Sequence, residues 1–335
     1  MKIRESLEER EKRILSPYAS LSMNSKGRER QEQDCDIRPC YQRDRDRILY
    51  SKSFRRLKDK TQVFLTPDGD HYRTRMTHTL EVAQNARTIA RALALNEDLA
   101  EAIAFGHDLG HTPFGHAGER ALNSVCPFGF KHNEQSLRTV ELLEKEGQGL
   151  NLTIEVRDGI VNHEMNTLPH TLEGKIVRLS DKIAYIHHDM DDAIRGGILK
   201  EGDVPEYITS VIGTTNGQWL DYFIHDIVVN SMDKDDVKMS DEGYQALHDI
   251  RSFMFANVYT NPIAKGEEGK AVELIRILYK HYMEHFELLP EYLKALMDKG
   301  EPREKLVCDY ISSMTDRFAI AKFEEYFIPK SWNVL

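Results

Sequence analysis

No stretch of the 335 residues approaches the ~18 consecutive apolar residues of a membrane-crossing helix, which excludes a transmembrane segment of that kind. The opening "MKIRESLEEREKRIL" is charged throughout and lacks the apolar middle of a signal peptide, so a cytoplasmic location is expected. Cysteine is scarce. Cys35, Cys40, Cys126 and Cys308 fit a reducing compartment, and the first two lack the second pair that a zinc clamp needs, so they read as free thiols. An excess of basic charge is also missing. The net charge of −10 argues against a dedicated nucleic-acid binder, and nucleic acid is left open as a partner without being an expected one. An anionic substrate stays open, because local fields decide that. Strand-like alternation is rare, and neither an internal repeat nor a low-complexity linker occurs.

Helical periodicity is abundant, with 40% apolar residues to form a core. Leu80, Ala83, Ala86, Ala90, Leu93 and Ala94 recur at three and four after Thr77, a suitable N-cap. Asn96 caps a second run in which Leu99, Ile103 and His107 are spaced by four. Leu172, Ile176, Leu179, Ile183, Ile186, Met190 and Ile194 form a long stripe. The pattern predicts an all-α fold, with "TQVFL" and a small β-hairpin near 61–73 as the one β candidate. Residues 43–60 carry eight Lys or Arg against three Asp. The ordinary explanation is a solvated, ion-paired helix face; the alternative is a cationic wall for phosphates.

"HDLGHTPFGHAGE", residues 107–119, holds three histidines and two carboxylates. His107 continues an apolar helical face and so points inward, with Asp108 beside it. A buried His–Asp doublet costs several kcal/mol unless it is paired or coordinated. Gly106 and Gly110 would let the backbone approach whatever is bound. His78 opens the preceding helix, and Asp181 lies off the stripe of the 172–194 helix. If three helices bring them together, His78, His107, Asp108 and Asp181 would form a donor set for one divalent ion. Mixed nitrogen and oxygen ligands do not choose among Mn, Mg, Fe, Ni, Co and Zn. His116 and Glu119, three apart, share a helical face as an imidazole with its orienting carboxylate. Tyr185 and Asp189 follow Asp181 at four and eight, on the face of that ligand.

The order H…HD…D resembles the HD superfamily of metal-dependent phosphohydrolases. "RDRDRILYSKSFRRLKDKTQVF", "GDHYRTRMTHTLEVAQ", "HDLGHTPFGHAGE", "FKHNEQSLR", "SDKIAYIHHDMDDAIR" and "DYISSMTDR" resemble, in order, the signatures of its dGTP triphosphohydrolase-like (dNTPase) branch, over about residues 41–317. The resemblance implies an HD-domain helical bundle with additional C-terminal helices. The expected layout is an N-terminal extension over 1–40, an HD core over 41–200 and a helical part over 201–335 packed on it as one unit. It implies hydrolysis of a deoxynucleoside triphosphate to a deoxynucleoside and tripolyphosphate.

Water would be the nucleophile, since no serine or cysteine sits beside a base in the motif. A divalent ion lowers the pKa of water and polarises a phosphoryl oxygen, and a histidine can protonate the leaving 5′ oxygen. By the same resemblance His116 and Glu119 are the catalytic pair, with His132 a further active-site histidine near the α-phosphate. Arg75 and Lys182 bind the triphosphate and His111 contacts substrate. Asp189 takes the sugar 3′-hydroxyl, Tyr185 packs on the sugar and Gln62 closes its pocket. His163 reads better as a core or supporting histidine than as a ligand.

Homo-oligomers with a nucleotide effector at subunit interfaces are part of the same expectation. Two rival readings are an HD phosphohydrolase of another nucleotide class and a non-catalytic nucleotide sensor. The first would not be expected to carry "HDLGHTPFGHAGE", and the second is disfavoured by the intact ligand set. The preferred base is not legible.

Overall fold

The computed structural model describes residues 2–62, 73–200, 202–261 and 266–330. The described chain is helical: α1 (Ile3–Ile14), α2 (Cys40–Leu49), α3 (Lys52–Arg56), α4 (Arg75–Ala92), α5 (Glu97–Gly106), α6 (Gly115–Val125), α7 (His132–Arg138) and α8 (Ile154–Val161) lead into the long α9 (Leu172–Arg195). After it come α10 (Glu206–Ile212), α11 (Asn216–Ser231), α12 (Asp241–Met254), α13 (Glu268–Glu284), α14 (Glu291–Asp298), α15 (Arg303–Ser312) and α16 (Asp316–Phe327). Among the described residues the only β pairing is two isolated bridges, one of them antiparallel between Thr61 and Thr74. That bridge joins the two ends of the expected hairpin. Most of the hairpin, and most of "TQVFL", lies outside the described residues.

Local chemistry sets the helix starts. Asn96 caps α5 by accepting from the Leu99 N–H, and Thr171 caps α9 by accepting from the Gly174 N–H. Helix α4 begins earlier than the pattern suggested: Thr74 is the N-cap, and the Thr77 hydroxyl reaches back to its N–H at 3.0 Å. His78 therefore lies at the end of the first turn, and the buried face begins with Arg75, His78, Thr79 and Val82, leaving Leu80 exposed.

Two apolar cores share the molecule. Ile48, Val82, Ile89, Leu99, Ile103, Ile160, Ile176, Ile183, Phe223 and Ile250 belong to the first, which gathers α2, α4, α5, α8, α9, α11 and α12. Ala121, Leu122, Ile275, Leu278, Tyr282, Leu293, Leu306 and Ile311 belong to the second, between α6 and the C-terminal helices. Helix α6 thus has its polar end at the histidine cluster and its apolar side in the C-terminal core.

The glycines flanking the His–Asp doublet serve helix packing. A Cβ on Gly106 would lie 2.4 Å from Ile160 Cδ1, and one on Gly110 would lie 2.2 Å from the Ser136 backbone nitrogen. Their close approach is to α8 and α7 rather than to a ligand.

Candidate active site

His78, from the first turns of α4, His107 and Asp108, which directly follow α5, and Asp181, from the middle of α9, meet in the interior. His78 Nε2 lies 3.2 Å from Asp181 Oδ1 and 3.8 Å from Asp108 Oδ2. His107 Nε2 lies 3.4 Å from Asp108 Oδ1 and 3.8 Å from Asp181 Oδ1.

The tautomer of His107 tests whether a cation fits. Its Nδ1 is 2.7 Å from the Ala104 carbonyl oxygen, so Nδ1 carries the hydrogen and donates it. The bare Nε2 lone pair is buried, has no hydrogen-bond partner and faces two carboxylates. Three acceptors around one point repel unless a cation sits among them, and a histidine tied through its other nitrogen to a backbone carbonyl is how proteins orient such ligands. The residues fit a divalent ion.

Charges around the quartet are balanced. Arg75, 2% exposed, donates to Asp108 Oδ2 at 2.8 Å, and Lys182 donates to Asp181 Oδ2 at 2.7 Å. Burial pushes the Asp108 carboxyl up, but the charged and hydrogen-bonding groups beside it, Arg75 and His111 among them, outweigh it and hold the group well below the usual range. Asp181 behaves likewise, with Lys182 and a hydrogen bond from His78 overcoming burial. Both aspartates are therefore anionic.

Beside the quartet, Glu119 joins two histidines. Its Oε2 is 2.9 Å from His116 Nδ1, while its Oε1 is 3.0 Å from His132 Nδ1 and accepts the His132 N–H at 2.8 Å. His132 Nε2 is 3.2 Å from His163 Nε2, and His163 Nδ1 is fixed on the Ile160 carbonyl at 2.7 Å. Burial, His107 and His132 push His163 down to about 3, so it is neutral and accepts through Nε2. His132 then donates from both nitrogens, one to a carboxylate and one to an imidazole. Burial would lower its pKa, but Glu119 overrides this and raises it.

His111 stacks on His132 with centroids 4.0 Å apart and lies 3.3 Å from Asp108 Oδ1. His188, His78, His107, His163, His132, His111 and His116 form, in that order, one connected run of ring contacts.

Further along α9, Tyr185 is half-buried and Asp189 is buried. Asp189 Oδ2 accepts from the Tyr259 hydroxyl, and Oδ1 is buried without a hydrogen-bond partner. The Tyr185 and Tyr259 rings lie 6.4 Å apart. Gln62 sits with its backbone oxygen against Gly115, next to the Arg75 guanidinium.

Against this geometry the comparisons are direct. An HD domain model matches residues 75–186, and a phosphohydrolase-associated domain model matches residues 237–325. A deoxyguanosinetriphosphate triphosphohydrolase-like protein of Caldanaerobacter subterraneus subsp. tengcongensis is 54% identical, over 99% of this chain and 98% of its own. Proteins of the same description from Desulfatibacillum aliphaticivorans and Clostridium perfringens are each 47% identical, over 98% of this chain and 99% of theirs. The chain belongs to the deoxyguanosinetriphosphate triphosphohydrolase-like family. It is a metal-dependent phosphohydrolase of the HD type.

Several residues of this family member that shape the site were not singled out from sequence. Asp316, at the start of α16, accepts from the Phe114 N–H at 3.0 Å, the Thr61 N–H at 3.0 Å and the Thr61 hydroxyl. It thereby pins the turn before α6, where Phe114 adopts φ 62° and Gly115 φ 56°. A buried phenylalanine in the left-handed region is strained by about 1–3 kcal/mol and persists only because its surroundings hold it.

Lys60, 2% exposed, donates to the carbonyls of His111 and Ser312, and burial pushes its ammonium down to about 7. Asp309 accepts from Gln135 and Arg138 on α7. The "DYISSMTDR" segment is thus a brace for the loops of the site. Its order in the chain was visible, but its contacts, some 170–250 residues away, were not.

In the basic 43–60 run, Arg45 pairs with Asp98 and Glu101 and Arg47 with Glu32, the pattern of an ion-paired face. No described helix is long and apolar enough to cross a membrane.

Proposed function

We propose that the enzyme hydrolyses deoxynucleoside triphosphates to a deoxynucleoside and tripolyphosphate. The observation that carries this reading is helix α9. It bears Asp181 and Lys182 at the cation-fitting cluster and, two turns on, Asp189 with a buried, unpaired acceptor oxygen beside the Tyr185 ring. A molecule lying along it would present phosphate at one end and a sugar hydroxyl at the other. The printed names of the relatives point to the same substrate class.

His78, His107, Asp108 and Asp181 would hold the divalent ion, which supplies Lewis acidity to a phosphoryl oxygen and a lowered pKa to water. Arg75 and Lys182 neutralise the two aspartates now, and both can turn their charge to the triphosphate when it enters. With a hydrogen on both nitrogens, His116 donates Nδ1–H to Glu119 and transfers its Nε2 proton to the leaving 5′ oxygen, the role of a general acid. His132 is tied at both nitrogens, so it serves as a fixed positive charge near the α-phosphate rather than as the proton donor. His111, stacked on it, contacts the same phosphates. Asp189 Oδ1 accepts the 3′-hydroxyl, and the Tyr185 ring occupies the space a 2′-hydroxyl would need. Gln62 completes the sugar pocket.

The test is product analysis. The purified protein with Mn²⁺ and each dNTP should release tripolyphosphate and the deoxynucleoside in equal amounts. Orthophosphate or pyrophosphate as the first product, or hydrolysis confined to cyclic dinucleotides or monophosphates, contradicts the proposal.

A further inference from the structure

His188 lies in the run of imidazoles, yet the reaction described above gives it no task. It is fully buried on α9, one residue before Asp189. Its Nδ1 is 2.8 Å from Glu81 Oε2, and its Nε2 is 3.3 Å from Asp189 Oδ1. A carboxylate only accepts, so a histidine between two of them carries a hydrogen on each nitrogen. Glu81 is anchored in turn: it accepts from Arg73 Nε at 3.1 Å, and Arg73 Nη1 reaches back to Asp191 at 2.8 Å and Asp192 at 3.0 Å. The His188 ring also stands edge-on to His78, centroids 4.9 Å apart at 89°, which fixes its plane.

The contact with Asp189 is one of direction rather than saturation. At 3.3 Å the contact is longer than an ordinary N–H···O bond and engages one of the two lone pairs on Oδ1, so that oxygen keeps its capacity to accept. The other oxygen is already committed to the Tyr259 hydroxyl. Asp189 is therefore gripped from two sides and presents one free acceptor. The geometry points to His188, held by Glu81, as the positioning residue that aims the Asp189 carboxylate at the sugar 3′-hydroxyl and thereby sets selectivity for that hydroxyl. This inference rests on the reading of Asp189 as the sugar acceptor.

The alternative is that His188 merely packs the interior between α4 and α9, and selectivity for the 3′-hydroxyl separates the two. The Mn²⁺-loaded wild type, His188→Gln and Glu81→Gln are compared on dGTP and on 2′,3′-dideoxyGTP, with metal content measured alongside. An unreplaced hydrogen bond to a buried charged acceptor is worth about tenfold or more, so wild type should favour dGTP in kcat/KM by at least about that factor. Both variants should lose most of the preference, through a raised KM for dGTP, with the dideoxy substrate changing little and metal content preserved.

A preference unchanged from wild type, even with both substrates slowed in parallel, overturns the inference and leaves His188 as packing. Glu81→Gln decides the matter if His188→Gln fails to fold, since the Glu81 side chain is 35% exposed and its change is the milder. A wild type that releases no tripolyphosphate from any dNTP overturns the substrate reading itself. One that hydrolyses dGTP while both variants keep the dideoxy ratio overturns only this inference.

Discussion

Glu119→Gln changes one oxygen into an amide nitrogen at the junction of two histidines. In the native site the carboxylate accepts from His116 Nδ1, His132 Nδ1 and the His132 backbone N–H. A glutamine keeps one acceptor oxygen and turns an NH₂ toward a ring N–H that also donates, so at least one histidine loses its partner and faces a like group. Charge-assisted hydrogen bonds of this kind are worth about 1.5–3 kcal/mol each. If both are fully expressed as the proton moves, their loss amounts to about 3–6 kcal/mol, or roughly 10²- to 10⁴-fold in turnover.

The pH profile should move as well. Burial pulls the His132 pKa down and Glu119 raises it, so removing the carboxylate charge lowers it again and the imidazolium is lost at lower pH. Activity that needs that cation must then fall off earlier as pH rises, shifting the alkaline limb toward acid. The assay is steady-state tripolyphosphate release from pH 5 to 10, with metal content measured on the same samples. Turnover within about threefold of wild type, with an unmoved alkaline limb and full metal, would refute the assignment of Glu119 as the group that sets both imidazoles.

Asp108→Ala should strip the ion and abolish activity together, because it removes one of the acceptors that face the His107 lone pair; a variant that keeps full metal content by elemental analysis contradicts the quartet. Asp316→Ala leaves the Phe114 and Thr61 N–H groups without an acceptor, costing about 2–4 kcal/mol in urea unfolding, with turnover reduced as the strained turn before His116 relaxes. A loss below about 0.5 kcal/mol would show that the turn holds itself. Tyr185→Ala should narrow the gap between dGTP and GTP, chiefly by admitting GTP; an unchanged ratio removes the ring from ribose discrimination.

What the sequence revealed follows from which interactions are local. His107 and Asp108 are neighbours, His116 and Glu119 are one helical turn apart, and Asp181, Tyr185 and Asp189 share a face of α9, so spacing alone brings these groups together. His78 and Asp181 needed the resemblance, because nothing in the spacing says that α4 and α9 cross at His107. Asp316, Lys60 and Tyr259 stayed hidden for the same reason. Each contacts the site through tertiary packing, and an Asp near a helix start, a Lys in a basic run and a Tyr after an amphipathic stretch look like a cap, a surface charge and a core residue. Tyr259 also ends a π-helical segment, 255–259, whose wider turn carries the ring off the register that α-helical spacing assigns. The start of α4 was misjudged because Thr74 and Thr77 are both competent caps, and the structure uses them together.

The central claim is attack by water on the α-phosphorus at the His–Asp cluster, with the 5′ oxygen leaving. Hydrolysis of dGTP in H₂¹⁸O, followed by mass analysis of both products, tests it most directly. The account predicts one ¹⁸O in the tripolyphosphate and none in the deoxyguanosine. Label in the 5′-hydroxyl of the nucleoside, or an ¹⁸O-bearing orthophosphate or nucleotide in place of tripolyphosphate, would contradict it.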